Sequence, residues 1–216
     1  MQEDDSVIAI RVTVPIACWR KGHAREYLET EELPPPATCY GFLLSLVGEE
    51  DRVRHRGVRV TAGLVNRPSL SVVLRTLWRI KSRRVPQGVG ENARPDYQEL
   101  LIGSDMVVLC DSKDEEEPSI TLEERVKVAL TAPEKVERFG GLSLGESTHL
   151  VDEVSLLGGS WPAARLFLQA AEGGGDLTLP VWVDHVGSAG TRYAVGELVE
   201  TVSPPLRDRI PLIQSS

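Results

Sequence analysis

The run Arg138-Phe139-Gly140-Gly141-Leu142-Ser143-Leu144-Gly145-Glu146-Ser147-Thr148-His149 decides how the chain is to be read. It holds three glycines, two serines and one arginine, directly before the apolar run Leu150-Val151-Asp152-Glu153-Val154. Glycine admits φ > 0 and lets another backbone come close. A concave run of peptide N–H groups beside hydroxyls and a guanidinium is a seat for phosphate oxygens. The same composition also suits a plain turn from helix to strand. No Gly-Lys-Ser/Thr closes it as a Walker loop, and it is no Rossmann fingerprint.

Upstream, Thr121 and Glu124 form a capping box, and Leu122, Val126, Ala129 and Leu130 follow at helical spacing until Ala132-Pro133. Asp111–Pro118 is an acidic linker, preceded by strand around Leu100–Ile102 and Met106–Cys110. Val58, Val60, Ala62 and Leu64 alternate, as do Val72, Leu74, Thr76, Trp78 and Ile80, and Asn66-Arg67-Pro68-Ser69 between them predicts a hairpin turn. The other face of the second strand carries Arg75, Arg79, Lys81 and Arg83. Arg84–Tyr97, with two prolines and two glycines, predicts a protruding loop that is mobile when free.

Further back, Pro34-Pro35-Pro36 opens a helix whose Tyr40, Leu43, Leu44 and Val47 make one apolar stripe, and Gly48 stops it. Gly41 on that helix implies close approach to a sheet. Residues 19–33 predict a loop with Trp19, Arg20 and Arg25 toward a ligand. Residues 6–18 alternate as a strand, with Pro15 marking an edge or bulge. At the far end, Leu177–Val186 and Tyr193–Val202 predict a hairpin. The order to residue 157 is β-α-β-β-α-β, an α+β fold of the ferredoxin-like or RNA-recognition-motif kind. Residues 1–157 form this palm, and 158–216 are a C-terminal β extension packed on it.

At 216 residues, 41% hydrophobic and 26% charged, the chain has the profile of a soluble globular protein. Its acidic start is the wrong charge for a signal peptide, and no run is long enough to span a membrane. Cys18, Cys39 and Cys110 lie far apart in apolar segments, so they predict reduced core residues in a cytoplasm rather than disulfides or a zinc site. No metal or cofactor is implied. The net charge of −8 conceals a basic block: residues 52–94 hold eleven Lys/Arg against Glu91 alone, so this segment carries +10 and the rest −18. Such a block predicts one face for an anionic partner.

Three patterns coincide: Arg25-Glu26-Tyr27 leading into the Leu33–Gly48 helix start, a basic hairpin with a Pro/Gly loop, and Glu137–His149. Together they resemble the fifth family of CRISPR-associated proteins (Cas-five), of the repeat-associated RNA-binding superfamily, in its type I-B-like, myxobacterial-like variety. The resemblance covers roughly residues 6–157. It implies a non-catalytic subunit of the type I surveillance complex, Cascade, that caps the 5′ handle of the guide RNA (crRNA). It further implies contact with the backbone subunit (Cas-seven), the large subunit (Cas-eight) and, through the complex, target DNA. Arg84–Tyr97 matches the family's thumb and residues 138–147 its glycine-rich loop.

The candidate RNA-binding residues are accordingly Arg20, Arg25, Arg75, Arg79, Lys81, Arg83, Arg84 and Arg94 for phosphate, with Gln87 and Asn92 for splayed bases. Arg138, Gly140, Gly141, Ser143, Gly145, Ser147 and His149 complete the set. If phosphate fills the space beside Gly145, valine there abolishes RNA retention and spares the fold; in a plain turn it costs stability instead. One branch of the family cleaves precursor crRNA without metal through Tyr, Lys and His, so Tyr40, Lys81 and His149 give an alternative, enzymatic reading. A third is a metabolic protein whose glycine loop holds a phosphorylated small molecule.

Overall fold

The computed structural model describes residues 7–22, 27–78, 81–116, 119–170 and 174–215. In chain order the elements are β1 (Ile8–Ala17), β2 (Tyr27–Leu28), α1 (Pro36–Leu46), β3 (Arg59–Leu64), β4 (Ser69–Trp78) and β5 (Ala93–Asp111). Then follow α2 (Leu122–Thr131), β6 (Glu153–Leu156), β7 (Ala164–Gln169), β8 (Leu177–Trp182) and β9 (Arg192–Thr201). One large sheet runs β6-β1-β5-β3-β7-β9-β8, with β2 and β4 both attached to β5. Its pairings are antiparallel except β2 with β5.

The expected hairpin turn at Asn66–Ser69 is not one. β3 and β4 do not pair with each other; both pair with the 19-residue β5, β3 from Leu64↔Met106 and β4 from Ser69↔Ile102. Residues 65–68 are therefore a bulge in one long ribbon, four residues opposite 103–105. Pro68 has no N–H to give a ladder, and Asn66 stitches the gap, its amide donating to the Gly103 carbonyl and accepting from the Asp105 N–H. Beyond this bulge β4 takes the place of β3 beside β5, and past the last β5 pairs with β1 (Ala17↔Leu101) and β2 (Tyr27↔Tyr97) the β4–β5 ribbon runs on as an arm. The true turn lies at its tip, before a short 3-10 segment at Gly90–Asn92, and residues 93–97 are strand rather than loop.

At Pro15 the β1–β5 register stays in step, from Val14↔Ser104 to Ile16↔Ile102, so there is no bulge; β6 covers only Ile10–Thr13, which leaves β1 with β5 as its one paired strand there among the described residues. α1 begins with Pro36 at its first turn, and α2 carries the expected box, Thr121 accepting from the Glu124 N–H. α1 lies on β3 and β8, α2 on β5 and β6. Between helices and sheet sit Ile10, Val12, Val60, Val108, Leu43 and Leu122, each fully buried. A buried Leu or Val contributes about 1.5–3 kcal/mol.

Gly41 faces open space on the outer side of α1, contrary to the expected close approach to a sheet. The three cysteines are buried and unbridged, as expected.

The other face of β5 is covered by the C-terminal segment. Val107 and Leu109 pack with Ala164, Leu166, Leu168 and Ile210, while Gly63↔Leu166 joins β7 to the edge of β3. The sheet is thus continuous across residues 157 and 158, and the expected C-terminal hairpin, β8 with β9, forms its far end. Among the described residues no helix is long and apolar enough to cross a membrane.

Candidate nucleic-acid interface

Strand alternation gives the β4–β5 arm two unlike faces. One carries Arg75 opposite Asp96, with Arg94 and Gln98 on the same side of β5. These charges are already satisfied. Arg75 Nη1 donates to Glu146 Oε2 at 2.8 Å and to Gln98 Oε1; Gln98 Nε2 donates to Glu146 Oε1 at 3.0 Å; Arg94 Nε donates to Asp96 at 2.7 Å. Arg75, the first cation of the expected basic row, is thus neutralised by the protein's own acid.

The same holds for part of the basic block. Arg54 pairs with Glu49, Arg56 with Glu116 and Arg59 with Asp114, while the Arg52 guanidinium lies 4.0 Å over the Trp182 ring.

At the tip the picture reverses. Lys81, Arg83, Arg84 and Gln87 are exposed, and the three cations have no ion pair among the described residues. Asn92, expected to read bases, is 1% exposed and holds the loop together instead. Its Oδ1 accepts from the N–H of Lys81 (2.7 Å) and Ser82 (2.9 Å), and its amide donates to the carbonyls of Ser82 and Val85. Gly88 takes φ +76° beneath the Trp78 indole, where a Cβ would lie 2.7 Å from Nε1. Trp78, in the alternating row of β4, is 72% exposed.

The glycine loop divides in two. Its second half is a structural turn: Trp19 Nε1 donates to the Leu144 carbonyl at 3.2 Å, and the Cys18 N–H donates to His149 Nδ1 at 3.2 Å. Gly145 has φ +119°, and the space for its side chain is taken by the Cys18 carbonyl at 3.2 Å and the Trp19 indole, not left for phosphate. His149 is buried; accepting on Nδ1 puts its proton on Nε2, which faces Glu146 at 3.8 Å. Burial pushes its pKa down, with Glu146 acting against and Arg75 with that shift. Ser143 is half-buried in a bridge with Leu150, and Ser147 is exposed.

In the first half, Arg138 donates to the Gly140 carbonyl at 3.0 Å, Gly140 (φ +77°) and Gly141 are exposed, and Phe139 is 99% exposed.

The fold therefore joins Arg75, Gly145 and His149 into one cluster through Glu146 and Gln98, which sequence reasoning did not single out. Arg94 belongs to the same face of the arm. The tip residues and Arg138–Gly141 lie apart from this cluster, Arg20 is exposed beside its bridge to Thr30, and Arg25 and Arg79 lie outside the described residues. Also missed was the arm's second face, where Leu70, Val72, Leu74, Trp78 and Tyr97 are all exposed. Its period-2 row was visible, but nothing in the row says whether it meets a core or solvent.

The Tyr40 hydroxyl donates to the Arg52 carbonyl at 2.8 Å inside the α1 core, where burial pushes its pKa up. Tyr40, Lys81 and His149 thus sit on three different elements with three different sets of partners.

No protein-family model matches the chain. A CRISPR-associated protein Cas5 from Myxococcus xanthus (strain DK1622) is 57% identical over 209 residues, covering 96% of this chain and 97% of that one. A chain of a solved CRISPR RNA-guided surveillance complex superposes with TM-score 0.58 at 15% identity, covering 94% of this chain and 96% of its own length. A crystal structure titled as a Cas protein gives TM-score 0.50 at 18% identity, over 96% and 98%.

Proposed function

Because the chain belongs to the Cas5 family of CRISPR-associated proteins, we propose that it is a non-catalytic Cascade subunit that caps the 5′ handle of crRNA. In that role it joins the Cas-seven backbone and the Cas-eight large subunit, in the cytoplasm, for crRNA-guided DNA targeting. The strand order β6-β1-β5-β3, with α1 and α2 in the crossovers, supports reading the first part as a ferredoxin-like palm. The β4–β5 arm is then its thumb.

One observation carries the RNA reading. On an arm where Arg75 and Arg94 are neutralised internally, Lys81, Arg83 and Arg84 are exposed and have no ion pair among the described residues, at the tip beside the exposed indole of Trp78. Free cations attract phosphate, and an open aromatic face stacks an unpaired base. Target-DNA contact is indirect in this reading, through the assembled complex. The non-catalytic part is supported by Tyr40, whose phenol is kept protonated in the core, and by His149, whose Nδ1 is occupied by a backbone N–H.

The test is crRNA binding against salt. Lys81→Ala, Arg83→Ala and Arg84→Ala should each flatten the slope of log K against log[salt] by about 0.7 per lost contact. Trp78→Ala should weaken binding without changing the slope. If all three cation variants keep the wild-type slope, the tip is not the RNA site. Incubation with repeat RNA in EDTA addresses the enzymatic alternative, and specific cleavage would establish it.

A further inference from the structure

The outward face of the thumb does not suit RNA over most of its length. Leu70, Val72 and Leu74 lie along β4 with Leu101, Glu99 and Tyr97 opposite them in register, and the Tyr27 ring is 6.5 Å from that of Tyr97. Leu74 is 63% exposed, and β4 pairs with β5 alone, so its outer edge is open. A contiguous apolar row of this kind marks an interaction surface. The aliphatic stretch from Leu70 to Leu74 offers bases no stacking platform, and the two tyrosine rings beside it lie tilted against each other.

At the foot of the row a groove of about 390 Å³ opens, walled by Leu64, Pro68, Leu70 and Leu101. Three carboxylates, Glu31, Glu32 and Glu99, face two guanidiniums there, Arg67 and Arg165. Arg165 is paired with Glu32, and Glu99 accepts the Thr30 N–H at 2.9 Å. The Glu31 carboxylate has no hydrogen-bond partner among the described residues; burial first of all pushes its pKa up, nearby Lys21 acts against that shift, and Glu29 and Glu32 add to it. With Lys21 and Glu29 counted beside Glu31, four carboxylates stand against three cations, so the groove is one cation short. It repels phosphate and fits a Lys or Arg.

We propose that the Leu70–Leu74 face and this groove form one protein-docking surface, taking an apolar segment of a partner subunit whose single Lys or Arg seats beside Glu31 and Glu99. The identity of the partner rests on the assembly-subunit reading above; the surface and the chemistry of its occupant do not. The thumb then has two separate duties, nucleic acid at the tip and protein at the foot.

The experiment co-expresses the chain with the Cas-seven and Cas-eight subunits and a crRNA, and measures association of the purified proteins. Leu74→Asp and Glu31→Lys should each weaken association with one of the two subunits at least tenfold. Leu74 is exposed and the half-buried Glu31 side chain has no hydrogen bond to lose among the described residues, so melting temperatures should match wild type, and crRNA binding by the isolated chain should stay within twofold. Wild-type association by both variants overturns the docking surface while leaving the assembly reading intact. Loss of crRNA binding by isolated Leu74→Asp makes the face an RNA site and also overturns it. If the wild-type chain joins neither subunit, the assembly reading itself falls.

Discussion

Arg75 on the thumb and Glu146 in the glycine loop are 2.8 Å apart, and this ion pair ties the arm to the palm. Both are partly exposed, so the pair itself contributes only about 0–1 kcal/mol. The fully buried Gln98 amide raises the stake, because it donates to the same carboxylate. Glu146→Ala leaves a buried donor and a cation without their partner. The expected cost is about 1–3 kcal/mol.

The same variant makes a second prediction of opposite sense. Releasing Arg75 adds a free cation to the thumb, so the salt slope of crRNA binding should steepen even as the protein melts earlier. Thermal melting and a salt titration on one sample check both. Unchanged melting together with an unchanged slope would show that the pair matters to neither.

Gly41→Ala should stabilise the chain. The position is inside α1, exposed, with nothing within 4 Å of where a Cβ would stand. Alanine is favoured over glycine in a helix interior by about 1 kcal/mol, which a denaturant melt can resolve. A destabilised Gly41→Ala would mean that α1 has a neighbour at this site in the folded chain.

Most strands, both helices, the capping box and the unbridged cysteines were legible because each is a local pattern of periodicity, capping or spacing; β2, β7 and the first five residues of β5 were not. The hairpin at Asn66 was not. A Pro-containing polar break looks the same whether the chain reverses or merely bulges, and only the partner strand β5 distinguishes them. The basic row on β4 was legible as charge, but the neutralisation of its Arg75 by Glu146, some seventy residues away, is a tertiary fact. Asn92 was chosen as polar and loop-borne, and burial is what turned it into scaffolding.

Acid should weaken the attachment of α2 to the segment after α1. Glu49 accepts from Arg125 and Arg54 and from the Asp51 N–H. Burial raises its pKa, but those hydrogen bonds and charges outweigh this and hold it down at about 2, against an ordinary 4.5. A folded pKa below the unfolded one gives stability that is complete above pH 4.5 and is lost as pH falls toward 2. Glu49→Gln should therefore be less stable than wild type at neutral pH, with the gap closing in that window. A gap independent of pH would show that the charge on Glu49 is not what holds the contact.

Gly145→Val separates the two meanings of the glycine loop. With φ at +119° and the Cys18 carbonyl 3.2 Å from the Cβ site, a β-branched residue is both strained and crowded by the protein's own backbone. Strain of this kind costs about 1–3 kcal/mol, and displacement of Trp19 would add to it. The variant should melt well below wild type, while its folded fraction binds crRNA with wild-type affinity, because the free cations lie at the thumb tip. Gly140→Ala, also at positive φ but with open space around it, should cost less, since it meets backbone strain without the clash. Gly145→Val protein that melts normally yet no longer retains crRNA would return the phosphate to this loop, with Arg138 as its nearest cation in the sequence.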